Sequence, residues 1–206
     1  MMKYALLIVC IVYSLFYFLP VSKEIGIILS VSSHVFAAPA VIKFPTFLSV
    51  STVITVFSSL MFHIINDAMK ADEDKHFRRF DHGWSVFLIY AVIFRTVYKK
   101  IPEWALFVLV LVCVIPAAFL TNPRTYLPLT VIATVAMVFI LYQKFNRYLM
   151  IAFLLYAMGT VSRFLPILDN KYHRHSIWHA LVFSAIYYVQ LGIEENEKQR
   201  TSRSGE

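Results

Sequence analysis

Three short polar groups in an otherwise apolar chain contain residue types that can carry out chemistry. Ser59 and His63 lie four residues apart, as do His175 and His179, and Asp81 stands between the two pairs. Residues four apart share one face of an α-helix, so each pair can face a common site. Histidines with a carboxylate and a hydroxyl nearby are residue types used in hydrolytic metal sites.

The histidines His63, His175 and His179 are candidate ligands for zinc. Imidazole nitrogen binds Zn²⁺ well, and three protein ligands with an open fourth position form the catalytic arrangement. A zinc ion there lowers the pKa of a bound water molecule to about 7. We expect Asp81 to act as a general base toward this water or to orient a histidine, and Ser59 to hydrogen-bond the developing oxyanion.

Each histidine taken alone is better explained as an interfacial side chain, and only the combination favours a metal. Ser176 follows His175, whereas a metalloprotease helix has glutamate at that position, so the metalloprotease interpretation fails. We expect His34, in a serine-rich stretch, to be a hydrogen-bonded helix histidine. We expect Arg95 to extend toward the membrane interface.

The composition is typical of a membrane protein. Of 206 residues, 59% are hydrophobic and 15% are charged, whereas a soluble domain has about 25% charged residues. These values exclude a soluble globular enzyme, a disordered chain and a collagen-like fibre, and two cysteines exclude a disulfide scaffold. The net charge is +7, but the basic residues are scattered among short loops, so we expect no nucleic-acid partner.

Eight segments are long and apolar enough to be membrane helices, which need about 20 residues. They are residues 4–20, 26–42, 46–66, 83–98, 104–121, 126–142, 148–165 and 174–193. We predict an all-α, polytopic fold: a seven-transmembrane-helix bundle over residues 21–193, in the plasma membrane or an endomembrane. Residues 1–20 are either a signal peptide or an extra N-terminal helix, and residues 194–206 form a polar mobile tail. The oligomeric state stays open, with a homodimer as one option.

The topology brings the candidate residues to one side of the membrane. Alternate helices of such a bundle run in opposite directions. The end of segment 46–66, the start of 83–98 and the start of 174–193 therefore lie on the same side. Ser59, Asp81 and the three histidines can then meet at one depth, whether or not residues 1–20 are removed.

The pattern resembles the CREST superfamily of seven-helix membrane hydrolases, which includes alkaline ceramidases, progestin-and-adipoQ receptors and GPI-lipid remodelling proteins. Its signature of Ser-x3-His, Asp and His-x3-His is matched here by the five residues above. Further stretches are similar to the transmembrane-protein-8 and myomaker branch, namely Ser32–Lys43, Phe77–Asp81 and Arg163-Phe164. The resemblance implies zinc held by three histidines, with Asp81 and Ser59 around the water. Asp67, Asp72 and Asp74 remain alternatives to Asp81.

Three functions are compatible with this interpretation of the candidate site. The first is zinc-dependent hydrolysis of an ester or amide bond in a membrane lipid, such as a phospholipid, a GPI lipid or ceramide. The second is non-enzymatic membrane remodelling or fusion of the myomaker kind, with a structural zinc. The third is a lipid-responsive receptor. Of these three functions, we expect the first, a zinc-dependent lipid hydrolase.

Overall fold

The computed structural model describes residues 2–15, 21–43, 46–68, 75–97, 102–109, 146–164 and 171–203, with a few isolated positions besides. The regular structure in these ranges is helical. We label the α-helices α1 (Met2–Leu15), α2 (Lys23–Ser32), α3 (Ala38–Lys43), α4 (Thr46–Phe62), α5 (Lys75–Val97), α6 (Glu103–Leu109), α7 (Arg147–Phe164) and α8 (Lys171–Arg203). A 3₁₀ turn, Ser33–Ala37, joins α2 to α3, and a π-helical turn, His63–Ala68, continues α4.

Helix α8 is the central element of the described bundle. Residues 179–190 are buried without interruption, and α8 packs against α1, α2, the 3₁₀ turn, α3, α5 and α7. Small residues allow the closest approach: a Cβ added at Gly192 would lie 2.7 Å from Cγ of Leu149 on α7. Helix α8 therefore forms the surface against which the other described helices pack. Its small residues allow close approach, as small residues do between membrane helices.

Helix α1 corresponds to the predicted leader, and it packs against the bundle. The buried Sγ of Cys10 lies 2.8 Å from Oγ of Ser184 on α8. The hydroxyl of Tyr13 donates a hydrogen bond of 3.3 Å to the carbonyl of Leu29 on α2. A face of α1 is thus joined to both the centre of the bundle and the helix that follows it.

The outward faces of several helices are apolar. On α4 and α7 the exposed positions follow the helical period; they are Val50, Val53 and Phe57, and Met150, Leu154, Met158 and Val161. Three described helices are long and apolar enough to cross a membrane: Lys23–Lys43, Leu48–Ile65 and Lys171–Ser202. An apolar exterior of this kind is costly in water and suits contact with lipid.

The prediction of an all-helical fold is confirmed for the described residues, with three candidate spans rather than seven. Half of the predicted segment 104–121, and all of 126–142 except two isolated positions, lie outside the described residues. Helix α5 begins at Lys75, eight residues before the predicted start of its segment at residue 83. The extension places Asp81 inside a helix rather than at its first turn.

The polar segment predicted as a mobile tail continues α8 as a helix to Arg203. Three of its glutamates pair with cations on α3, α5 and α7. The pairs are Lys43–Glu194 at 3.0 Å, Arg147–Glu195 at 3.2 Å and Arg95–Glu197 at 3.5 Å. Arg95 thus meets a carboxylate on α8 at this end of the bundle.

Candidate metal centre

Two interruptions of regular α-helix position the first two histidines. Pro39 has no N–H and its ring clashes with the carbonyl four residues earlier, which here belongs to Val35. That carbonyl instead accepts from the N–H of Ala38, and the backbone tightens into the 3₁₀ turn that holds His34. His63 opens the π-helical turn at the end of α4. Short 3₁₀ and π stretches inside helices frequently occur at functional sites.

The three histidines His34, His63 and His179 form a buried cluster. One ring nitrogen from each lies within 4.8 Å of the others. The ring centroids of His34 and His179 are 4.3 Å apart, those of His63 and His179 5.2 Å, and those of His34 and His63 5.8 Å. All three side chains are less than 5% exposed. Such a set of nitrogens is close enough to bind one metal ion.

The hydrogen bonds of His34 leave one ring nitrogen available. Its Nδ1 lies 3.1 Å from the carbonyl oxygen of Ser30 and 3.0 Å from that of Val31. Carbonyls only accept, so Nδ1 carries the proton and Nε2 carries the lone pair. Nε2 is buried and has no hydrogen-bond partner among the described residues. A lone pair fixed in this way is what a metal ligand requires.

Serine hydroxyls fix His179 in the same form. The hydroxyl of Ser33 donates to the carbonyl of Ser30 at 2.7 Å, and its oxygen lies 3.4 Å from Nδ1 of His179. Since the single hydroxyl proton is already used, Nδ1 of His179 must be the donor. Its Nε2 then carries the lone pair and lies 3.5 Å from Oγ of Ser59. Ser30 Oγ lies 3.5 Å from Nδ1 of His63, so the same serine segment contacts the third ring.

His175 belongs to the same group of rings but is held differently. Its ring centroid is 4.6 Å from that of His63 and 4.3 Å from that of His179. Its Nδ1 contacts Nη1 of Arg163. A guanidinium only donates, so Nδ1 accepts and Nε2 carries the proton. That Nε2 is buried and has no hydrogen-bond partner in the described part of the chain. In this contact His175 presents an N–H donor, and it lies outside the set of three histidines whose nitrogens are within 4.8 Å of one another.

A polar cavity of about 330 Å³, which we call the chamber, opens beside the cluster. It lies where α4 and α7 end and where α5 and α8 begin, and its lining includes His63, Asp81 and His175. Asp81 is buried and is close enough to Arg163 to interact with it electrostatically. A carboxylate, an imidazole N–H and the histidine cluster thus face a common space.

An apolar crevice begins on another side of the cluster. One part, between α4, α5 and α8, is lined by Ser59 and His179 together with apolar side chains. A second part, between α5, α7 and α8, shares Ile89, Val182 and Ile186 with the first. The crevice is narrow, about 30 and 40 Å³ in its two parts. His63 lines the chamber and His179 lines the crevice, so the two spaces lie beside different members of the same cluster.

The five residues predicted from the sequence lie in this region. Ser59 and His175 contact His179 directly, and Asp81 lines the chamber with His63 and His175. The structure adds His34, for which the sequence analysis expected only a helix hydrogen bond. Nδ1 of His34 makes the expected hydrogen bond, but the available lone pair of Nε2 was not predicted. The signal was present, because Ser30 and His34 repeat the four-residue spacing of Ser59 and His63.

Comparisons with models of protein families, with curated proteins and with solved structures give no match for this chain.

Proposed function

We propose that this chain is an integral membrane protein whose histidine cluster binds zinc and hydrolyses an ester or amide bond of a membrane lipid. The observation that carries the proposal is the buried set His34, His63 and His179, whose nitrogens lie within 4.8 Å of one another. Three apolar helices that could cross a membrane support the location. We further propose the seven-helix bundle and the CREST superfamily membership that the sequence pattern implies.

The cluster is better explained as a zinc site than as a metal-free part of the protein core. A buried nitrogen without a hydrogen bond costs about 1–3 kcal/mol, and Nε2 of His34 is in this state among the described residues. A metal at the cluster would satisfy it. Three neutral imidazoles suit Zn²⁺, and the contacts from residues 30–33 to Nδ1 resemble the outer-shell contacts of known zinc sites.

The surrounding side chains supply the remaining parts of a hydrolytic mechanism. When bound, zinc supplies Lewis acidity that lowers the pKa of a coordinated water to about 7. Asp81, buried at the edge of the chamber, accepts the proton as general base. The Nε2–H of His175 is placed to hydrogen-bond the developing oxyanion, and the Ser59 hydroxyl is a second donor to it. The proton that Asp81 has accepted can then pass to the leaving group.

The two spaces beside the cluster favour an amphipathic substrate. A headgroup fits the polar chamber, while the apolar crevice beside His179, at about 30 and 40 Å³ in its two parts, is too small for a whole acyl chain and would receive only the part next to the headgroup. The bond between these two parts of a lipid would then lie at the histidines. Ligand sites commonly combine apolar walls with a few placed polar groups.

Metal analysis and turnover test the proposal together. The full chain, purified in detergent, should contain about one zinc per chain, and the double variant His63→Ala/His179→Ala should contain none. His173→Gln is the matched control, because His173 is a buried α8 histidine outside the cluster. Wild type should hydrolyse at least one lipid from a panel of phospholipids, ceramide and GPI lipid. A wild-type protein that binds no metal after zinc is supplied would remove the proposal.

A structural zinc is the second candidate, and one observation favours it. The cluster joins the 3₁₀ turn after α2, the end of α4 and the start of α8, so a metal there would tie three separate segments together. Asp81→Asn and Ser59→Ala separate the two functions. Both variants should abolish turnover in an enzyme, and both should leave biological function intact if the metal is only structural.

A further inference from the structure

The described lining of the chamber is cationic. Among the residues that the structure describes, it includes four positively charged side chains, Arg78, Arg163, Lys171 and Arg174, and one carboxylate, Asp81. The cations come from the start of α5, the end of α7 and the start of α8. Because separate helices contribute them to one cavity, the charges are not a solvated face of one helix.

Two of the cations are held at the cavity by aromatic rings. The guanidinium of Arg163 lies 4.7 Å from the ring centroid of Trp178 and also contacts His175. Nζ of Lys171, at the exposed rim, lies 4.9 Å from the ring centroid of Tyr172. Rings in these positions orient the cations through their π faces and restrict the conformations they adopt.

The side chain of Arg174 indicates that the chamber can take an anionic partner. Its Nε is buried and has no hydrogen-bond partner among the described residues. Guanidinium groups bind phosphate through parallel N–H···O bonds, and burial makes such charge-assisted bonds stronger than those in water. An anionic oxygen in the chamber would satisfy this nitrogen and offset the repulsion among the four cations.

We propose that the chamber binds the phosphate group of a phospholipid, so that the substrate of the proposed hydrolase is a phosphate-bearing lipid rather than a neutral one. The inference rests on the proposed function for its reaction, but the binding itself requires no metal. A volume of about 330 Å³ is at the small end of ligand pockets and suits a headgroup. The apolar crevice described above would receive only the part of the lipid chain nearest the headgroup.

Equilibrium binding to the metal-stripped full chain in detergent tests the inference apart from turnover. The probes are a short-chain phosphatidic acid, a short-chain diacylglycerol with the same chains but no phosphate, and inorganic phosphate. We expect the phosphatidic acid to bind tightest, with an affinity that falls as salt is raised. Arg174→Gln should weaken it by about 10- to 100-fold, the loss of a hydrogen bond to a charged group. Lys171→Gln should weaken it less, because its side chain is at the rim.

Arg200→Gln is the matched control, since Arg200 is an exposed cation on the same helix α8 and far from the chamber in sequence. It should leave binding unchanged. Equal affinity for the diacylglycerol and the phosphatidic acid would overturn the inference. Inorganic phosphate binding as tightly as the phosphatidic acid would overturn the lipid assignment, since the chamber would then serve a free anion.

Hydrolysis with zinc restored separates this inference from the proposed function. Phosphatidic acid binding without turnover of any lipid would remove the hydrolase and leave the phosphate site. Turnover of ceramide by a protein that does not bind phosphatidic acid would remove the phosphate site and leave the hydrolase.

Discussion

Replacing His34 by alanine should reduce zinc affinity far more than replacing His175 does. His34 presents an Nε2 lone pair that two backbone carbonyls orient, whereas Nδ1 of His175 accepts from Arg163 and its Nε2 carries the proton. Loss of an outer-shell contact costs about 10- to 100-fold in metal affinity. Loss of one of three ligands should therefore cost at least the upper value.

The effect on stability follows from linkage. Zinc at about 100 times its dissociation constant stabilises the folded chain by about 2.7 kcal/mol. A loss of about 100-fold in affinity brings the zinc concentration to the dissociation constant, where the stabilisation is about 0.4 kcal/mol. The zinc-induced rise in melting temperature should then shrink by about 5–9 °C for a chain of this size.

The assay is thermal unfolding of each purified variant with and without zinc at that fixed concentration. The difference within each variant cancels any damage that the substitution does to the metal-free protein. His34→Ala should lose most of the zinc-induced rise, while His175→Ala and the control His173→Gln should keep it. Retention by His34→Ala together with loss by His175→Ala would refute the tautomer argument and restore the ligand set predicted from the sequence.

Three further predictions concern a serine beside His179, the proposed base and the packing of α7 against α8. Ser33→Ala should lower zinc affinity by about 10- to 100-fold in a metal titration, whereas Ser32→Ala, an exposed neighbour bonded only to a backbone carbonyl, should not. Asp81→Asn should abolish lipid turnover while leaving bound zinc near one per chain, since it removes the base and no ligand; loss of the zinc would contradict this. Gly192→Ala should lower the free energy of unfolding by about 1–3 kcal/mol, because its Cβ would lie 2.7 Å from a buried leucine. Gly159→Ala, with contacts of 3.3 Å, should cost less in the same thermal unfolding assay.

The sequence predicted the helical class because hydropathy and length decide it. Segments such as 148–165 and 26–42 agree with helices Arg147–Phe164 and Lys23–Lys43 to within a few residues. The start of α5 was missed because Lys75–Phe80 is charged, and a hydropathy criterion stops where charge begins. Charged residues continue a helix readily when their backbone bonds are made within it.

The candidate site was predicted in part. The sequence predicted that Ser59, Asp81 and His175 lie close together. The prediction used helix faces and the side of the membrane at which each segment ends, and spacing and segment order determine both. The ring tautomers could not be predicted, because they depend on contacts between distant segments, such as that of Ser33 with His179. His34 was missed because a helix hydrogen bond, which its Nδ1 does make, was sufficient to explain a histidine in a serine-rich stretch.

The positive charge of the chamber could not be predicted from the sequence either. A shared cavity for Arg163 and Arg174 could not be predicted, because nothing in their spacing links α7 to α8. Their approach depends on how the two helices pack, which small residues at Gly159 and Gly192 permit. Tertiary packing, rather than local pattern, creates the concentration of positive charge.

The glutamates that pair with cations at the far end of α8 also bear on how deep the histidines would lie in the proposed membrane. From His175 to Glu194 the helix advances 19 residues, about 28 Å at its usual rise. This nearly equals the hydrocarbon thickness of a bilayer, about 30 Å. In the proposed membrane placement, with the ion pairs at one surface, the chamber would lie at the other and His179 about 6 Å beneath it. That is the level at which lipid headgroups give way to acyl chains. A lipid could therefore present its linking bond to the histidines by moving sideways within its own leaflet, without being lifted into water.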